Sequence, residues 1–333
     1  MIISRTPFRV SFFGGGTDYP GWFKDHQGAV IATTIDKYCY ITCRLLPPFF
    51  EHKSRIIYSK MEHVKTIDEI DHPSVRECLR FMEIKDGVEI HHDGDLPART
   101  GLGSSSSFTV GFLNSLYALK GKIISKDTLA RQAIYIEQKM CKENVGCQDQ
   151  ASAAFGGLNY IEFGGNRHLL VQKVTIPWEK KRLLESHLMM FFTGFSRNAS
   201  EIAGHQVKNI PKKQKELKAM YQMTVEAMRI LNSNNGLLSL GRLLHESWKL
   251  KRSLSDKITT PLIDEIYLTA RRAGAVGGKV LGAGGGGFVL IFAAPEKQKL
   301  IRRKLRKFLE IPFRFEDLGS QIIFYQPNSG KVS

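Results

Sequence analysis

The stretch that most restricts what this chain can become is Leu96-Pro-Ala-Arg-Thr-Gly-Leu-Gly-Ser-Ser-Ser-Ser-Phe-Thr-Val110. Two glycines and four serines separate a polar approach from an apolar run at helical spacing (Phe108, Phe112, Leu113, Leu116, Tyr117). Such a loop feeds directly into a helix N-terminus. There the first backbone N–H groups lack partners inside the helix and the dipole end is positive, so an anion is stabilised. Glycine lets the backbone approach a ligand's oxygens closely, and serine hydroxyls add donors or a metal contact. The stretch predicts a phosphate cradle; the structural alternative is a Ser-capped helix after a flexible loop.

With 333 residues, 42% of them apolar, the chain can bury one or two ordinary cores, and two domains are expected. No apolar run approaches the roughly 18 residues of a membrane span. The N-terminus has no charged-then-apolar signal pattern, so a cytoplasmic protein is expected. The five cysteines show neither CxxC spacing nor a matching His pair, which argues against disulfide and zinc frameworks. Asn198-Ala-Ser200 fits a glycosylation sequon that a cytosolic chain never uses. A net charge of +16 points to anionic partners. The densest basic run, Lys297 to Lys307, is interleaved with Leu300, Ile301 and Leu305 at helical spacing. That pattern is a solvated helix face rather than a nucleic-acid surface, and small anionic substrates account for the charge.

Along the chain, Ile2 to Phe13 reads as a strand that stops at Gly14-Gly15-Gly16-Thr17-Asp18. Three glycines leave the backbone open to a ligand, with a hydroxyl and a carboxylate following; a tight turn with an Asx-type Asp is the alternative. Residues 29–40 and 41–46 read as two strands with a turn at Asp36-Lys37, 74–82 as a helix and 88–92 as a strand. His91-His92 belongs to opposite faces of that strand and completes no metal set. Residues 126–142 form a helix carrying Glu137. Gln148-Asp149-Gln150 then opens a small-residue run in which Asp149 either caps a helix or faces a substrate. Residues 158–163 and 169–176 pair as a hairpin. The composition shifts near Pro177, dividing the chain into domains at 1–177 and 178–333. The second half reads as a strand at 188–193, helices through 231 broken at Pro211, helices at 237–251 and 260–272, a stretch at 275–281 leading to the glycines at 282–287, a strand at 288–294, a basic helix at 295–308 and a last strand at 322–325. Helices laid on antiparallel strands make the fold class α+β.

Gly282-x-Gly284-x-x-Gly287 matches the dinucleotide fingerprint literally, but a strand follows the last glycine where that fingerprint needs a helix. Lys279 is no Walker lysine, since Ala273 stands where glycine is required and Val280 where Ser/Thr is. HRD and DFG signatures are missing. Three Gly-rich loops remain, at 14–16, 101–103 and 282–287. The third reads either as a ligand loop or as a tight turn that lets a strand pack closely.

In order and context these loops resemble the three motifs of the GHMP small-molecule kinases (galacto-, homoserine, mevalonate and phosphomevalonate kinases). Pro97-x-x-x-Gly101-Leu-Gly-Ser-Ser-Ser-Ser107 is similar to motif 2 throughout, and Lys279-Val-Leu-Gly-Ala-Gly-Gly-Gly-Gly-Phe288 to motif 3. The resemblance covers about residues 2–325. It implies an N-terminal domain like the second domain of ribosomal protein S5 and a ferredoxin-like C-terminal domain. Motif 1 departs from the galactokinase Gly-Glu-His-Thr-Asp: Gly15 and Gly16 replace the two larger residues, implying a roomier, less acidic pocket for a longer or phosphorylated sugar. Thr6-Pro-Phe-Arg9 through Pro20, residues 32–38 and Thr193–Ser200 resemble the D-glycero-D-manno-heptose 7-phosphate kinases, which phosphorylate the anomeric hydroxyl to the 1,7-bisphosphate.

Carried over residue by residue, the resemblance implies that Pro97, Gly101, Leu102, Gly103, Ser104, Ser105, Ser106 and Ser107 cradle the phosphates of ATP. Ser105 or Ser106 with Glu137 would hold Mg²⁺, which favours oxygen ligands and retains waters. Glu137 and Asp149 stand twelve residues apart, as the corresponding galactokinase carboxylates do. Asp149 is the expected general base and Arg9 its partner in stabilising the transferring charge. Gly15, Gly16, Thr17, Asp18, Gly284 and Gly285 are expected at the sugar, and Arg197 at its phosphate, where a guanidinium binds bidentately. The expected partners are ATP and a sugar phosphate, with no nucleic acid and no membrane; oligomeric state is left open. A different sugar, or a non-catalytic anion- or nucleic-acid-binding relative, are the rival readings.

Overall fold

The computed structural model describes residues 1–165, 169–194, 199–233 and 236–327. In chain order these form β1 (Ile2–Phe13), α1 (Pro20–Phe23), β2 (Gly28–Leu45), β3 (Ser54–Ile57), β4 (Met61–Val64), α2 (Pro73–Phe81), β5 (Val88–Gly94), α3 (Ser104–Leu119), α4 (Lys126–Tyr135), α5 (Gln148–Phe155), β6 (Leu158–Phe163) and β7 (Leu169–Lys173). There follow α6 (Trp178–Ser186), β8 (Leu188–Phe192), α7 (Ala199–Asn209), α8 (Gln214–Asn232), α9 (Leu238–Ser253), α10 (Pro261–Arg272), β9 (Gly277–Val280), β10 (Phe288–Phe292), α11 (Pro295–Lys304), β11 (Phe315–Glu316) and β12 (Gln321–Tyr325). The α+β reading holds.

The larger sheet runs β12-β1-β2-β5-β3-β4. Strand β2 is its spine: β1 pairs along one edge, while β6 takes residues 28–33 and β5 residues 39–45 of the other. The turn expected at Asp36-Lys37 is instead a bulge inside one continuous strand. Pairing steps from Pro7↔Tyr38 to Phe8↔Ile35. Proline has no N–H for the ladder, so the two extra residues are shed where the partner strand could not have bonded them. Their polar groups find other partners: the Asp36 N–H donates to the Arg314 carbonyl (2.9 Å) and its carboxylate accepts the Arg314 N–H (2.9 Å). Hairpin β3–β4 was not expected from the sequence.

The smaller sheet runs β8-β10-β9, antiparallel throughout. A single bridge from Phe191 to Glu310 stands where a ferredoxin-like fourth strand would lie. Strand β10 is buried at all five positions, and alternation sends its side chains to different cores. Phe288, Leu290 and Phe292 join the core of the large sheet, whereas Val289 and Ile291 join the one beneath α10 and α11. Apolar residues on both faces explain why this segment reads as an unbroken apolar run. The halves share a core, and β11 and β12 return to pair with β2 and β1, so the chain's end belongs to the sheet where it began. A division at residue 177 therefore separates the two sheets only as far as β10. Among the described residues no helix is long and apolar enough to cross a membrane.

Leu290 is wholly buried in the shared core. Leu290→Ala is expected to cost about 2–5 kcal/mol through lost transfer energy and the cavity left behind, read as a lower midpoint in urea denaturation, with both halves losing structure together.

Candidate active site

Helix α3 begins where the glycine-serine stretch predicts. Gly103 caps it in the left-handed conformation (φ 75°), and its first turn contains no acidic side chain, which leaves the positive dipole end available to an anion. The four serines do different things. Ser104 Oγ accepts the Arg99 N–H (3.1 Å), closing the loop. Ser105 is exposed at the helix mouth. The Ser106 hydroxyl donates to Glu137 Oε2 (2.8 Å). The Ser107 hydroxyl donates to the Pro7 carbonyl (2.9 Å), so it fastens the helix to β1 and, against expectation, is not free for phosphate. Leu102 is buried, and its carbonyl accepts the Arg9 N–H (3.0 Å). Pro97 is exposed, and its carbonyl accepts the Thr100 hydroxyl (2.7 Å), shaping the approach to the loop.

Arg9, on β1, is 4% exposed at its side chain and grips Asp149 with both arms of the fork: Nε to Oδ1 at 2.8 Å and Nη2 to Oδ2 at 2.9 Å. Its third nitrogen donates to the Gly101 carbonyl (2.6 Å). One guanidinium thus joins β1, the glycine loop and α5. Asp149 keeps 27% of its side chain exposed and a lone pair free on each oxygen, so it can still accept a hydroxyl proton.

The residues flanking Asp149 escaped the sequence reading. Successive helical side chains diverge by roughly 100°, and in the first turn of α5 this sends three neighbours to three places. Gln148 Nε2 donates to Asp18 Oδ2 (2.8 Å), Asp149 meets Arg9, and Gln150 Nε2 donates to Glu137 Oε2. A carboxamide on each side of a carboxylate was the available signal.

Glu137 does not sit in the regular helix expected over 126–142. After Tyr135 the helix widens into a π turn at Ile136–Met140, closed by the Cys141 N–H on the Ile136 carbonyl (2.8 Å). Such turns recur at functional sites because they re-aim side chains. Glu137 is wholly buried, and its Oε1 has no hydrogen-bond partner, the neighbouring Thr109 hydroxyl donating to the Ser105 carbonyl (3.2 Å). Burial raises its pKa to about 7, against which the nearby Thr109 hydroxyl and the Ser106 and Gln150 hydrogen bonds pull only partly. A buried carboxylate with one bare oxygen, next to a serine hydroxyl, fits a hard cation shared with phosphate oxygens. Among the described residues no set of three or more His, Cys, Asp and Glu side chains could hold a metal without such help.

Motif 1 is tied down more than its glycines suggest. The Thr17 hydroxyl is engaged by Gly14 O (2.9 Å), Ala29 O and the Ala29 N–H (both 3.1 Å), so it braces the loop and is not free for the sugar. Asp18 accepts the Gly16 N–H (2.9 Å) and the Gln148 amide; burial, with Asp149 nearby, raises its pKa. The room expected at Gly16 is filled from the other half: a Cβ there would lie 3.4 Å from Leu217, 3.6 Å from Leu254 and 3.8 Å from Lys251 Nζ. At Gly15 a Cβ would lie 3.5 Å from the Gln148 amide nitrogen and 3.8 Å from Ser11 Oγ, in contact much as at Gly16. Lys251 donates to Gly15 O (3.1 Å) and Gln206 Oε1 (2.8 Å), and Lys279 to Phe12 O (3.2 Å). Burial lowers the first to about 8, and the second, also repelled by Lys251 and Arg9, to about 7. These two lysines were missed; only Lys279 stood in a motif.

Motif 3 is a packing loop. A Cβ at Gly282 would meet Gly101 Cα at 2.5 Å, so its backbone lies against the cradle. Gly284 and Gly285 were expected at the substrate. A Cβ at Gly284 would come within 2.5 Å of Ile258 O, and the Gly285 N–H donates to that same oxygen (2.8 Å), so the pair serves close backbone approach instead. Arg197 and Asn198 lie outside the described residues.

Folded protein holds the Glu137 proton up to about pH 7, whereas its ordinary value is 4.5. Between those values the native state binds more protons than the unfolded chain, and stability falls as pH rises. Glu137→Gln removes that loss. Without metal or nucleotide the variant should be the more stable protein at pH 8, by up to about 3 kcal/mol, with the gap closing as pH falls towards 4.5; urea denaturation at both ends of the window reads it.

The model of the GHMP kinases N terminal domain matches residues 73–157, and that of the GHMP kinases C terminal domain residues 224–311. The chain is 28% identical over 319 residues to a D-glycero-alpha-D-manno-heptose 7-phosphate kinase of Campylobacter jejuni, covering 92% of this chain and 93% of that one. It is 24% identical over 330 residues to a bifunctional fucokinase/GDP-fucose pyrophosphorylase of Arabidopsis thaliana, covering 91% of this chain and 31% of that one. In fold it matches a D-glycero-D-manno-heptose 1-phosphate kinase of Bacteroides thetaiotaomicron with a TM-score of 0.77 at 24% identity, covering 96% of this chain and 98% of that one. With both halves of the family's fold present around one cradle and one Arg–Asp pair, the chain belongs to the GHMP kinases, phosphotransferases acting on an alcohol group.

Proposed function

We propose that this protein transfers the γ-phosphoryl group of ATP to the anomeric hydroxyl of D-glycero-D-manno-heptose 7-phosphate, giving the 1,7-bisphosphate on a route to nucleotide-activated heptose. The observation that carries the reading is Asp149, partly open to solvent with its carboxylate fixed by Arg9 beside the mouth of α3. The choice of sugar rests on the similarity to the Campylobacter jejuni kinase.

Phosphoryl transfer asks for positioning and for positive charge around the moving group rather than for covalent chemistry. The first-turn N–H groups of α3 and the exposed Ser105 face the ATP phosphates. Ser106 and Glu137 would hold Mg²⁺, which supplies charge neutralisation at the β- and γ-phosphates when bound. Asp149 accepts a hydrogen bond from the acceptor hydroxyl and orients it in line. Because both its oxygens already bind Arg9, it takes the proton only as the new P–O bond forms. Arg9 remains in place to meet the charge that develops on the transferring group. Arg197 is the proposed contact for the 7-phosphate.

ATP consumption is to be measured with D-glycero-D-manno-heptose 7-phosphate beside galactose, fucose and mannose, for the parent and Asp149→Ala, with phosphorus NMR to locate the new phosphate. Turnover of the heptose phosphate at C1, reduced about 10²–10⁴-fold in the variant, is the expected result. Preference for an unphosphorylated sugar would keep the kinase and overturn the substrate. Salt-sensitive oligonucleotide binding without any ATP turnover would favour a non-catalytic relative.

A further inference from the structure

The basic run from Lys297 to Lys307 holds seven Lys and Arg residues among eleven and no acid, and it finds no place in the active site. Most of it is α11, held down by Ile301 and Leu305 in the same core as Val289 and Ile291 of β10. Lys279 is level with Leu290 in the register of the small sheet and reaches Phe12 from its other face. Helix α11 thus lies on the face of the small sheet turned away from the site. Its exposed cations stand behind a helix about 10 Å thick and the sheet besides. Exposed charges act over only about 8 Å at physiological ionic strength, so the expectation that small anionic substrates account for the charge does not extend to these.

Few of them are used within the protein. Arg302 pairs with Glu310 (2.8 Å) and Lys307 with Glu265 (2.5 Å). Lys297, Lys299, Arg303, Lys304 and Arg306 are exposed and form no ion pair among the described residues, and the same holds for Arg272 on α10. Two contacts set α10 and α11 antiparallel. Lys307 meets Glu265 at one end, and at the other a Cβ on Gly274 would lie 3.2 Å from the Lys297 stem. With a rise of about 1.5 Å per residue in both helices, Leu268 comes level with Lys304 and Arg272 with Leu300. Leu268 is 47% exposed and Leu300 36%. Leucine and cation therefore alternate along an outward seam, and a second basic stripe of Lys299, Arg303 and Arg306 runs beside it on α11.

That combination separates two anionic partners. Nucleic acid answers cations with phosphates, but its bases are met by aromatic and hydrogen-bonding side chains. Here the exposed neutral residues of the seam are leucines, and Phe308 is half-buried with Lys307 over its ring (5.1 Å). An anionic bilayer offers phosphates and, directly beneath them, hydrocarbon for the leucines. We propose that the α10–α11 surface docks this protein on anionic lipid membranes. The chain rests on the bilayer rather than crossing it, since among the described residues no helix is long and apolar enough to span. The expectation that no membrane takes part is revised accordingly, and the proposal depends neither on the kinase reaction nor on the choice of sugar.

The full chain is to be sedimented with phosphatidylcholine vesicles prepared with and without phosphatidylglycerol. Binding is expected only where the anionic lipid is present, and it should weaken as salt is added. Each cation at such a surface is worth roughly fivefold in affinity. Lys299→Glu/Arg303→Glu/Lys304→Glu is therefore expected to lose about 10²-fold or more, with Tm unchanged because none of the three is paired. The same change of charge at Lys60, Lys122 and Lys218, exposed elsewhere on the surface, should cost far less; equal losses would show that net charge alone draws the protein to the vesicles, and the proposal would fall. Leu268→Ser/Leu300→Ser should weaken vesicle binding severalfold and leave binding to duplex DNA as it was. Vesicle binding indifferent to the leucines, or tighter binding to DNA than to the mixed vesicles, would overturn the lipid partner. No sedimentation with either kind of vesicle would remove the membrane altogether.

Discussion

The structure turns on the Arg9 guanidinium. It is almost fully buried, yet satisfied on every side that bears charge: two bonds to Asp149 on α5 and one to the Gly101 carbonyl in the cradle. Removing one partner of a buried ion pair costs about 3–5 kcal/mol, because the other charge is left stranded. Strand β1, the glycine loop and α5 are therefore not free to drift independently. Asp149, the glycine loop and motif 1 keep a fixed spacing because one side chain measures it. Lysine in that place could not span three acceptors with a planar fork.

From that fixed point the chemistry is distributed by helix geometry. Three consecutive side chains at the start of α5 leave the axis in three directions, and each ends on a carboxylate or a guanidinium: Asp18 through Gln148, Arg9 through Asp149, Glu137 through Gln150. Asp18, Arg9 and Glu137 are thus ordered along a single helical turn. Two neutral amides hold the outer carboxylates without adding charge. Lysines in their place would saturate those carboxylates and weaken their grip on a ligand.

Much of this was legible in the sequence wherever a residue type admits one explanation. A glycine-serine loop before an apolar helix has few uses, and Arg9, Asp149, Ser106 and Glu137 meet around it as the resemblance implied. Hydrogen-bond direction was not legible. Thr17 and Ser107 have the right chemistry for a ligand, and only coordinates reveal that their hydroxyls hold the protein together. Gly284 and Gly285 misled for the opposite reason, since glycine permits both ligand contact and backbone contact and the sequence does not say which. Long-range register was hidden too. The proline that turns Asp36-Lys37 into a bulge is almost thirty residues away in the chain, and β12 closes on β1 across nearly its whole length.

The site's charges are kept close to their tipping points. Burial raises Glu137 to about 7 and lowers Lys279 and Lys251 to about 7 and about 8, so each holds its charge near neutral pH far less firmly than it would in water. In the free protein these groups work against folding, in opposite senses: the lysines are most costly in acid, where they must be charged, and the glutamate in base. The cluster is tolerated because its carbonyl and amide partners (Gly15, Phe12, Gln206, Gln150) solvate whichever form is present. Lys251 and Lys279 hold the carbonyls at the end of β1 and in motif 1, whereas Glu137 lies on the other side of Asp149 beneath α3. The two senses of charge are therefore separated by the Arg9–Asp149 pair, and a change of pH that relieves one side burdens the other.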